Sequence, residues 1–330
     1  MASNARDVPR SIRDALGKSP AEPNRASGTV SACAVEIGVL PLRQYLAGHM
    51  RMVRSSPNKS IVDVQRFWDT RPCNVRHSPR PVGSREYFDE VEARKYFVEP
   101  HISAFADFGR WENKRVLEVG CGIGTDSVNF ARAGAQLTAV DLSGESLRIA
   151  EQRAEVMGVA DRIRFVQANA EELTSSLRDA EYDLIYSFGA IHHTLRPDRA
   201  LAEMRALAAP GATLKLMVYH RRSWKTFWTV LANGRGQFWK ADELIARYSE
   251  AQTGCPVTFA YTRDEAHELV ERSGFAVSKL EVDHVFPYRV RDYVEYRYVK
   301  EPYFRWLPPQ LFRSFERRFG WHLLVTALAD

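Results

Sequence analysis

A glycine-rich turn between two apolar strands is the feature that most constrains the fold of this 330-residue chain. The run Arg115–Val119, with valine or leucine at three of its five positions, predicts a buried parallel strand. Glycine occupies every other position of residues 120–124, which lets the backbone turn sharply and approach a ligand closely. A helix is predicted over Thr125–Ala133 and a second strand over Gln136–Asp141. This order is typical of a doubly wound α/β domain that binds a nucleotide-like ligand.

Two acidic residues narrow the class of that ligand. Asp141 ends the second strand 21 residues after Gly120, close to the separation at which an acid meets ribose hydroxyl groups. Glu118 lies two positions before the first glycine. A carboxylate there disfavours an anionic pyrophosphate and suits a ligand that carries an ammonium and a sulfonium group. Thr125 stands where a dinucleotide motif has its last glycine, so a nicotinamide cofactor is the weaker alternative.

The two motifs together resemble those of the class I S-adenosylmethionine-dependent methyltransferases. They read Glu-Val-Gly-Cys-Gly-Ile-Gly at 118–124 and Val-Asp-Leu-Ser at 140–143. The resemblance covers about residues 95–221 and resumes at 261–265. It implies a Rossmann-like methyltransferase fold: α/β, with a doubly wound, seven-stranded, mostly parallel sheet and helical cap insertions. It also implies an enzyme with S-adenosyl-L-methionine as cofactor, and it does not specify the methyl acceptor.

The remaining elements of the core follow from apolar runs and the breaks that flank them. A Thr-x-x-Glu capping box at Thr262 predicts the start of a helix that ends near Gly274. Another helix is predicted over 197–208, ended by Ala-Pro-Gly at 209–211. Further strands are predicted over 162–167, 182–187, 212–219, 276–286 and 322–329.

The resemblance implies a cofactor site on the loops that follow the first four strands. Its predicted residues are Glu118, Gly120, Cys121, Gly122, Gly124, Asp141, Leu142, Asn169, Ala170 and Ser187. Asn169 stands where the family usually has aspartate. Its amide oxygen can still accept a hydrogen bond from the adenine amine, without the negative charge. Cys121 is predicted to be a small buried residue rather than a reactive thiol.

Three residues near the predicted methyl position are candidates for a catalytic role: His192, His193 and Tyr219. Both histidines follow the fourth strand, and either could take a proton near neutral pH if the acceptor must lose one. The alternative for each histidine is a structural role, in packing or in a hydrogen bond to the backbone. Tyr219 and His220 end the fifth strand, at the edge of the sheet where ligands bind in such folds.

The composition is ordinary for a globular protein, with a net charge of +5. The four cysteines have no close paired spacing, so neither a zinc site nor a disulfide framework is indicated, and no metal is predicted. No run approaches the roughly 18 apolar residues of a membrane-spanning helix, and a cytoplasmic location is expected. Residues 1–60 are predicted to be a flexible tail, with a transit peptide as the alternative for its start.

Three segments outside the cofactor core, 109–221, are expected to select the substrate. Residues 61–108 are predicted to be a helical lid over the cofactor, or a helical layer on the sheet edge. Residues 222–258 are predicted to be a cap, or a peripheral subdomain. Residues 259–330 complete the core around an insertion at 287–320, which holds eight lysines or arginines, four acids and ten aromatics. That insertion could enclose substrate, bind a membrane surface or nucleic acid, or form solvated amphipathic helices.

These observations predict a methyltransferase for an acidic or aromatic small molecule, with in-line methyl transfer in an aromatic-walled pocket. The alternatives are an RNA methyltransferase and a membrane-surface methyltransferase for a lipophilic substrate. Nucleic acid is disfavoured because the loop at 187–190 reads Ser-Phe-Gly-Ala, not the Asn/Asp-Pro-Pro-Tyr typical of amino-group methylation on bases. A non-catalytic binding protein is disfavoured by the intact Glu118 and Asp141. The oligomeric state stays open.

Overall fold

The computed structural model describes residues 59–177, 181–248 and 255–330. Nearly all of the predicted N-terminal tail, 1–60, lies outside the described residues. The described residues divide into two compact units, 59–287 with 302–330, and 288–301. Within the described ranges, no helix combines the length and apolar character needed to cross a membrane.

The larger unit is built on one sheet, in the strand order β3-β2-β1-β4-β5-β8-β7, with β6 paired to β5. The strands are β1 Arg115–Val119, β2 Gln136–Asp141, β3 Ile163–Gln167, β4 Tyr182–Phe188, β5 Ala208–His220, β6 Ala260–Tyr261, β7 Phe275–Asp283 and β8 His322–Ala329. All pairings are parallel except those of β8 with β5 and β7. The predicted doubly wound, mostly parallel sheet of seven strands is confirmed, with the two-residue β6 as an addition.

Helices cover both faces of this sheet. In chain order they are α1 Ile61–Thr70, α2 Arg85–Val98, α3 His101–Ala106, α4 Thr125–Arg132, α5 Gly144–Met157, α6 Leu173–Ser176, α7 Pro197–Ala206, α8 Trp224–Gly234, α9 Ala241–Tyr248, α10 Arg263–Glu271, α11 Val290–Val294, α12 Pro302–Arg305 and α13 Pro309–Phe319. The predicted capping box is present, since Thr262 and Glu265 bond reciprocally at the start of α10.

Two strands have bounds that differ by more than one residue from those predicted. β5 begins at Ala208 rather than Ala212, and a register shift against β4 accommodates the Pro-Gly pair at 210–211. β7 ends at Asp283 rather than Phe286, because His284 adopts a left-handed φ of 70° that a strand cannot continue through. This bend carries the chain out of the sheet beside the start of β8.

The side chains of the strands alternate between two apolar cores, one on each face of the sheet. In β1, Leu117 and Val119 belong to the core that includes α7 and α10. Val116 faces the opposite way, into the core that includes α4 and α5. Both cores are fully buried at the centre of the sheet, as expected for parallel strands covered on both faces. This packing holds rigid the strand ends that carry the predicted site.

The helix α2 is packed against α5 and the glycine turn by an apolar face. Tyr87, Phe88 and Val91 are completely buried and contact Ile123 and Ile149. A buried polar network continues the same contact. Asp126 Oδ1 accepts a hydrogen bond from Lys95 Nζ at 2.7 Å, and Asp126 Oδ2 accepts one from Tyr186 OH at 2.9 Å.

The predicted cap, 222–258, contains α8 and α9. These helices share a small core of Val230, Ala241 and Leu244. Trp224 of α8 packs edge-on against Phe304 and Phe315 of α12 and α13, with ring centroids 6.0 and 5.5 Å apart. The described part of this segment therefore forms a helical subdomain together with residues 302–319.

The smaller unit, 288–301, is a short helical segment that pairs its own charges. Arg297 Nη2 lies 2.8 Å from Asp292 Oδ1, and Arg297 also pairs with Glu295. Arg289 lies 4.0 Å from Glu301, and Tyr288 forms a β-bridge with Lys300. Several of the basic side chains that marked the predicted insertion are thus neutralised by acids of the same segment.

Candidate functional site

A pocket opens at the carboxyl ends of β1, β2 and β4, the edge at which ligands bind in doubly wound sheets. The glycine turn and Asp141 form one side of it. The other side comes from the N-terminal helices: α1 contributes Trp68, and α2 contributes Lys95. Residues in or just after β3, β4, β5 and β8 complete the wall, including Asn169, Phe188, Tyr219 and His322.

The carboxylate of Asp141 is held by backbone N–H groups on both sides. Oδ2 accepts a hydrogen bond from Gly122 N at 2.8 Å, and Oδ1 accepts one from Ser143 N at 2.9 Å. Burial raises the pKa of Asp141, while these two bonds oppose that shift. The side chain is therefore oriented before any ligand arrives, with its remaining lone pairs at the pocket surface.

The glycines of the turn meet different surroundings. Gly120 has a φ of 82°, and a Cβ at that position would lie 2.1 Å from the Cβ of Ala190. A Cβ at Gly124 would likewise lie too close to its neighbour, 2.9 Å from Ala150 Cβ. Gly122 has a φ of 54°, and a Cβ added at that position would meet no atom within 4 Å. The first and third glycines are needed for packing, whereas the second keeps the pocket surface clear for a ligand.

Glu118 lies behind the glycine turn rather than at the pocket surface. It is buried, and one carboxylate oxygen accepts a hydrogen bond of 2.5 Å from Ser127 Oγ. Burial and the nearby Asp126 carboxylate raise the pKa of Glu118 to about 8. The structure therefore keeps a protonatable carboxyl beneath the turn, and a cation bound above it would favour its ionised form.

The two histidines after β4 have different environments. His193 lines the pocket, and its Nδ1 donates to the carbonyl oxygen of Val257 at 2.9 Å, which makes Nε2 the unprotonated nitrogen. His192 is completely buried away from the pocket wall, and neither of its ring nitrogens has a partner among the described residues. Burial keeps its pKa well below the usual value. Its ring lies 3.8 Å from that of Tyr219, centroid to centroid.

Several pocket residues were not singled out in the sequence. Trp68 lies with its ring centroid 5.2 Å from that of His193, and Lys95 and Glu99 follow along α2. The helix α1 is tied to the core by Asp69, whose Oδ1 accepts a hydrogen bond of 2.8 Å from Ser143 Oγ. A signal was present in the amphipathic pattern of 61–70, but it predicts a buried face and not the surface that this face covers.

Comparisons with known proteins identify the kind of domain that holds this pocket. Residues 116–211 match the family description of a methyltransferase domain. The chain is 30% identical over 111 residues to norajmaline N-methyltransferase of Rauvolfia serpentina, covering 33% of this chain and 37% of that protein. It is 32% identical over 106 residues to tRNA 5-carboxymethoxyuridine methyltransferase of Escherichia coli (strain K12), covering 32% and 40%. Residues 116–211 are a methyltransferase domain.

Solved structures share the fold of this methyltransferase domain at low identity. Magnesium protoporphyrin IX methyltransferase from Synechocystis PCC 6803, with bound S-adenosylhomocysteine, aligns with a TM-score of 0.51 at 14% identity, over 82% of this chain and 99% of that one. The [4+2]-cyclase SpnF aligns with a TM-score of 0.50 at 18% identity, over 81% and 95%. The chain spans between 25% and 51% of the length of the first curated relatives that it matches.

S-Adenosylmethionine, the cofactor that the sequence resemblance implies, fits the residues of this pocket. Gly122 leaves open space at the turn, and the buried carboxylate of Asp141 faces that space. Of the predicted site residues, nine line this pocket: Gly120, Cys121, Gly122, Asp141, Leu142, Asn169, Ala170, His193 and Tyr219. The other four, Glu118, Gly124, Ser187 and His192, lie behind it.

Two of the residues in the pocket wall, Asn169 and Cys121, also have structural roles. Asn169 Oδ1 accepts a hydrogen bond from Glu171 N at 3.1 Å, which caps the turn after β3. Cys121 is buried, and burial raises the pKa of its thiol well above the usual value. A neutral buried thiol agrees with the expected packing role in the methyltransferase domain.

Proposed function

We propose that this chain transfers a methyl group from S-adenosylmethionine to a small molecule. The observation that carries the proposal is that one pocket joins the glycine turn and Asp141 to a wall of aromatic side chains, Trp68, Phe188 and Tyr219. The glycine turn and Asp141 suit the cofactor, and the aromatic wall suits a planar or apolar acceptor. The acceptor wall comes from α1, which lies in the predicted lid 61–108, and from β4 and β5 of the core. The sequence also predicts a substrate-selecting role for 222–258 and 287–320.

The residues of the pocket position the acceptor. S-Adenosylmethionine supplies a methyl group that is already activated by its sulfonium, so no protein nucleophile is required. Holding two reactants in register can lower a barrier by roughly 7–11 kcal/mol. The aromatic rings provide that alignment while excluding water from the reacting groups.

His193 is the proposed general base for an acceptor that must lose a proton. Its Nδ1–H is held by the Val257 carbonyl, so the lone pair of Nε2 is the one available for a proton. Thr258 Oγ1 lies 3.3 Å from the same Nδ1 and restricts the ring further. Tyr219 packs edge-on against His193, with ring centroids 5.7 Å apart, and serves as a wall and a positioning residue.

Calorimetry of the purified chain with S-adenosylmethionine and S-adenosylhomocysteine tests the cofactor site. Wild-type protein is expected to bind both ligands, and Asp141→Ala and Gly122→Val are expected to lose binding. Asp161→Ala, an exposed acid outside the pocket, is the matched control. Failure of the wild type to bind either ligand overturns the proposal.

Transfer of a labelled methyl group to panels of small phenols, carboxylic acids and amines tests the acceptor class. The second candidate is an RNA acceptor, which the likeness to the tRNA methyltransferase over 106 residues supports. The internal pairing of Arg289 and Arg297 with acids counts against it. An RNA enzyme would bind RNA with a steep dependence on salt, and absence of binding at low salt would eliminate this candidate.

A further inference from the structure

A cluster of three histidines and a glutamate lies at one end of the pocket. Glu99, His284 and His322 each place one ligand atom so that all three atoms lie within 4.8 Å of one another. His101, the first residue of α3, adjoins them. The four residues come from the end of α2, the start of α3, the bend after β7 and the first position of β8. Only the tertiary fold brings them together.

The ring of His322 is oriented by its two neighbours. Its Nε2 lies 3.5 Å from Glu99 Oε1, and its Nδ1 lies 2.9 Å from Nε2 of His101. When His322 Nδ1–H donates to His101, Nε2 carries the lone pair and faces the glutamate. A second residue that orients a ligating imidazole in this way is a regular feature of metal sites. The spacing of 3.5 Å is also close to the roughly 3.4 Å between ligands of a tetrahedral ion with bonds of about 2.1 Å.

His284 is the second imidazole and has an unusual environment. It is 8% exposed. Its backbone φ of 70° is uncommon for a residue with a side chain. The bend directs this ring towards that of His322, with centroids 4.6 Å apart.

We propose that Glu99, His284 and His322 bind a divalent transition-metal ion of the Zn²⁺ or Fe²⁺ type. Two imidazoles and one carboxylate are a ligand set that such ions prefer, whereas Mg²⁺ and Ca²⁺ prefer oxygen ligands only. The neutral imidazole is the form that coordinates a metal. The sequence predicted no metal because these residues have no local spacing pattern.

The ion would have an open coordination position towards the pocket. Glu99 and His322 both line the pocket, beside Phe188 and Met217. Three protein ligands with an open position are characteristic of catalytic rather than structural sites. An acceptor hydroxyl or carboxylate bound there would be oriented, and a bound hydroxyl would lose its proton more readily. This role rests on the proposed function, but binding of the ion does not.

Titration of chelator-treated protein with Co²⁺ tests the site without reference to activity. The full chain is expected to bind one equivalent, with visible absorption bands and displacement by Zn²⁺. Glu99→Gln, His284→Gln and His322→Gln are each expected to weaken Co²⁺ binding by more than about 100-fold. His101→Gln, which acts through His322, is expected to weaken it by about 10- to 100-fold.

His267→Gln is the matched control, because His267 is exposed and distant in sequence from the cluster. Binding of S-adenosylhomocysteine and the circular dichroism spectrum show whether each variant is folded. Co²⁺ binding that is absent in the wild type, or unchanged in folded His284→Gln and Glu99→Gln proteins, overturns the proposal. Loss of cofactor binding in the wild type with Co²⁺ binding retained would instead overturn the proposed function alone.

Discussion

The Gly122 N–H donates a hydrogen bond of 2.8 Å to Oδ2 of Asp141, and this bond joins the turn after β1 to the end of β2. The second oxygen, Oδ1, accepts from Ser143 N at 2.9 Å. Two acceptor oxygens are needed for the two donors, and only an ionised carboxylate supplies both. The acid is thus part of the turn's structure as well as a predicted contact of the cofactor.

Asp141→Asn is expected to weaken S-adenosylhomocysteine binding by roughly 10- to 100-fold. The amide NH₂ of asparagine would face one of the two backbone donors, and a hydrogen bond to a charged group contributes about 1.5–3 kcal/mol. Calorimetry measures the change, with Asp161→Asn as control. Wild-type affinity in Asp141→Asn would show that the paired bonds do not organise the site.

Gly120→Ala is expected to lower mainly the stability of the protein, and Gly122→Ala mainly its affinity for the cofactor. A Cβ at Gly120 would meet Ala190 at 2.1 Å, so this variant should unfold at clearly lower urea concentration. A Cβ at Gly122 meets nothing within 4 Å and lies at the pocket surface, so this variant should keep more stability and lose cofactor affinity. Urea denaturation and calorimetry on both proteins measure the two effects. Equal loss of stability in both variants would contradict the distinction.

Glu118 is expected to make the ligand-free protein less stable at alkaline pH. Its folded pKa of about 8 is above its unfolded value, so the protonated form is favoured by folding. That contribution is complete below pH 4.5 and is lost as the pH rises through 8. Relative to Glu118→Gln, the free energy of unfolding of the wild type should fall by on the order of 3 kcal/mol between pH 5 and pH 9. A constant difference across urea titrations would contradict this expectation.

The same carboxyl is expected to favour the cationic ligand over the neutral one as it ionises. S-Adenosylmethionine has a sulfonium, whereas S-adenosylhomocysteine has an uncharged sulfur. The ratio of their affinities should therefore rise between pH 6 and pH 9 in the wild type, where Glu118 titrates. The ratio should stay flat in Glu118→Gln. A parallel rise in both proteins would assign the effect to another group.

His192→Leu and His193→Leu are expected to have opposite consequences. His192 is buried without a hydrogen-bond partner among the described residues, so an apolar replacement of similar size should leave stability unchanged or raise it. His193 lines the pocket and bonds to Val257, so its replacement should lower methyl transfer by about 10²–10⁴-fold for a proton-bearing acceptor. Melting temperature and initial rate measure the pair. Equal loss of rate in both variants would restore His192 as a candidate base.

The cofactor half of the fold was predictable because its signals are local. The bounds of β1 and β2 agree with those predicted, since apolar runs and glycines mark them directly. The capping box at Thr262 is an equally local signal. The start of β5 was harder to predict, because proline and glycine usually end a strand or helix. Here the pairing of β5 with β4 continues past them through a shift of register.

The acceptor side was not predictable from local signals. The hydrogen bond from Ser143 to Asp69 joins residues 74 positions apart, and it helps place α1 against the pocket. The predicted cap instead uses Trp224 to pack against Phe304 and Phe315. Described residues 222–248 do not line the pocket. Trp228 and Trp239 of that segment are 48% and 72% exposed, so its aromatic content indicated neither burial nor a place in the pocket wall.

The order of segments along the chain has a consequence for how such proteins diversify. The helices α1 and α2, which supply Trp68 and Lys95 to the pocket, are encoded before β1 begins. A single recombination point between residues 108 and 115 would exchange this wall and leave the glycine turn untouched. Relatives with the same methyl donor could acquire new acceptors through such exchanges, without redesign of the sheet.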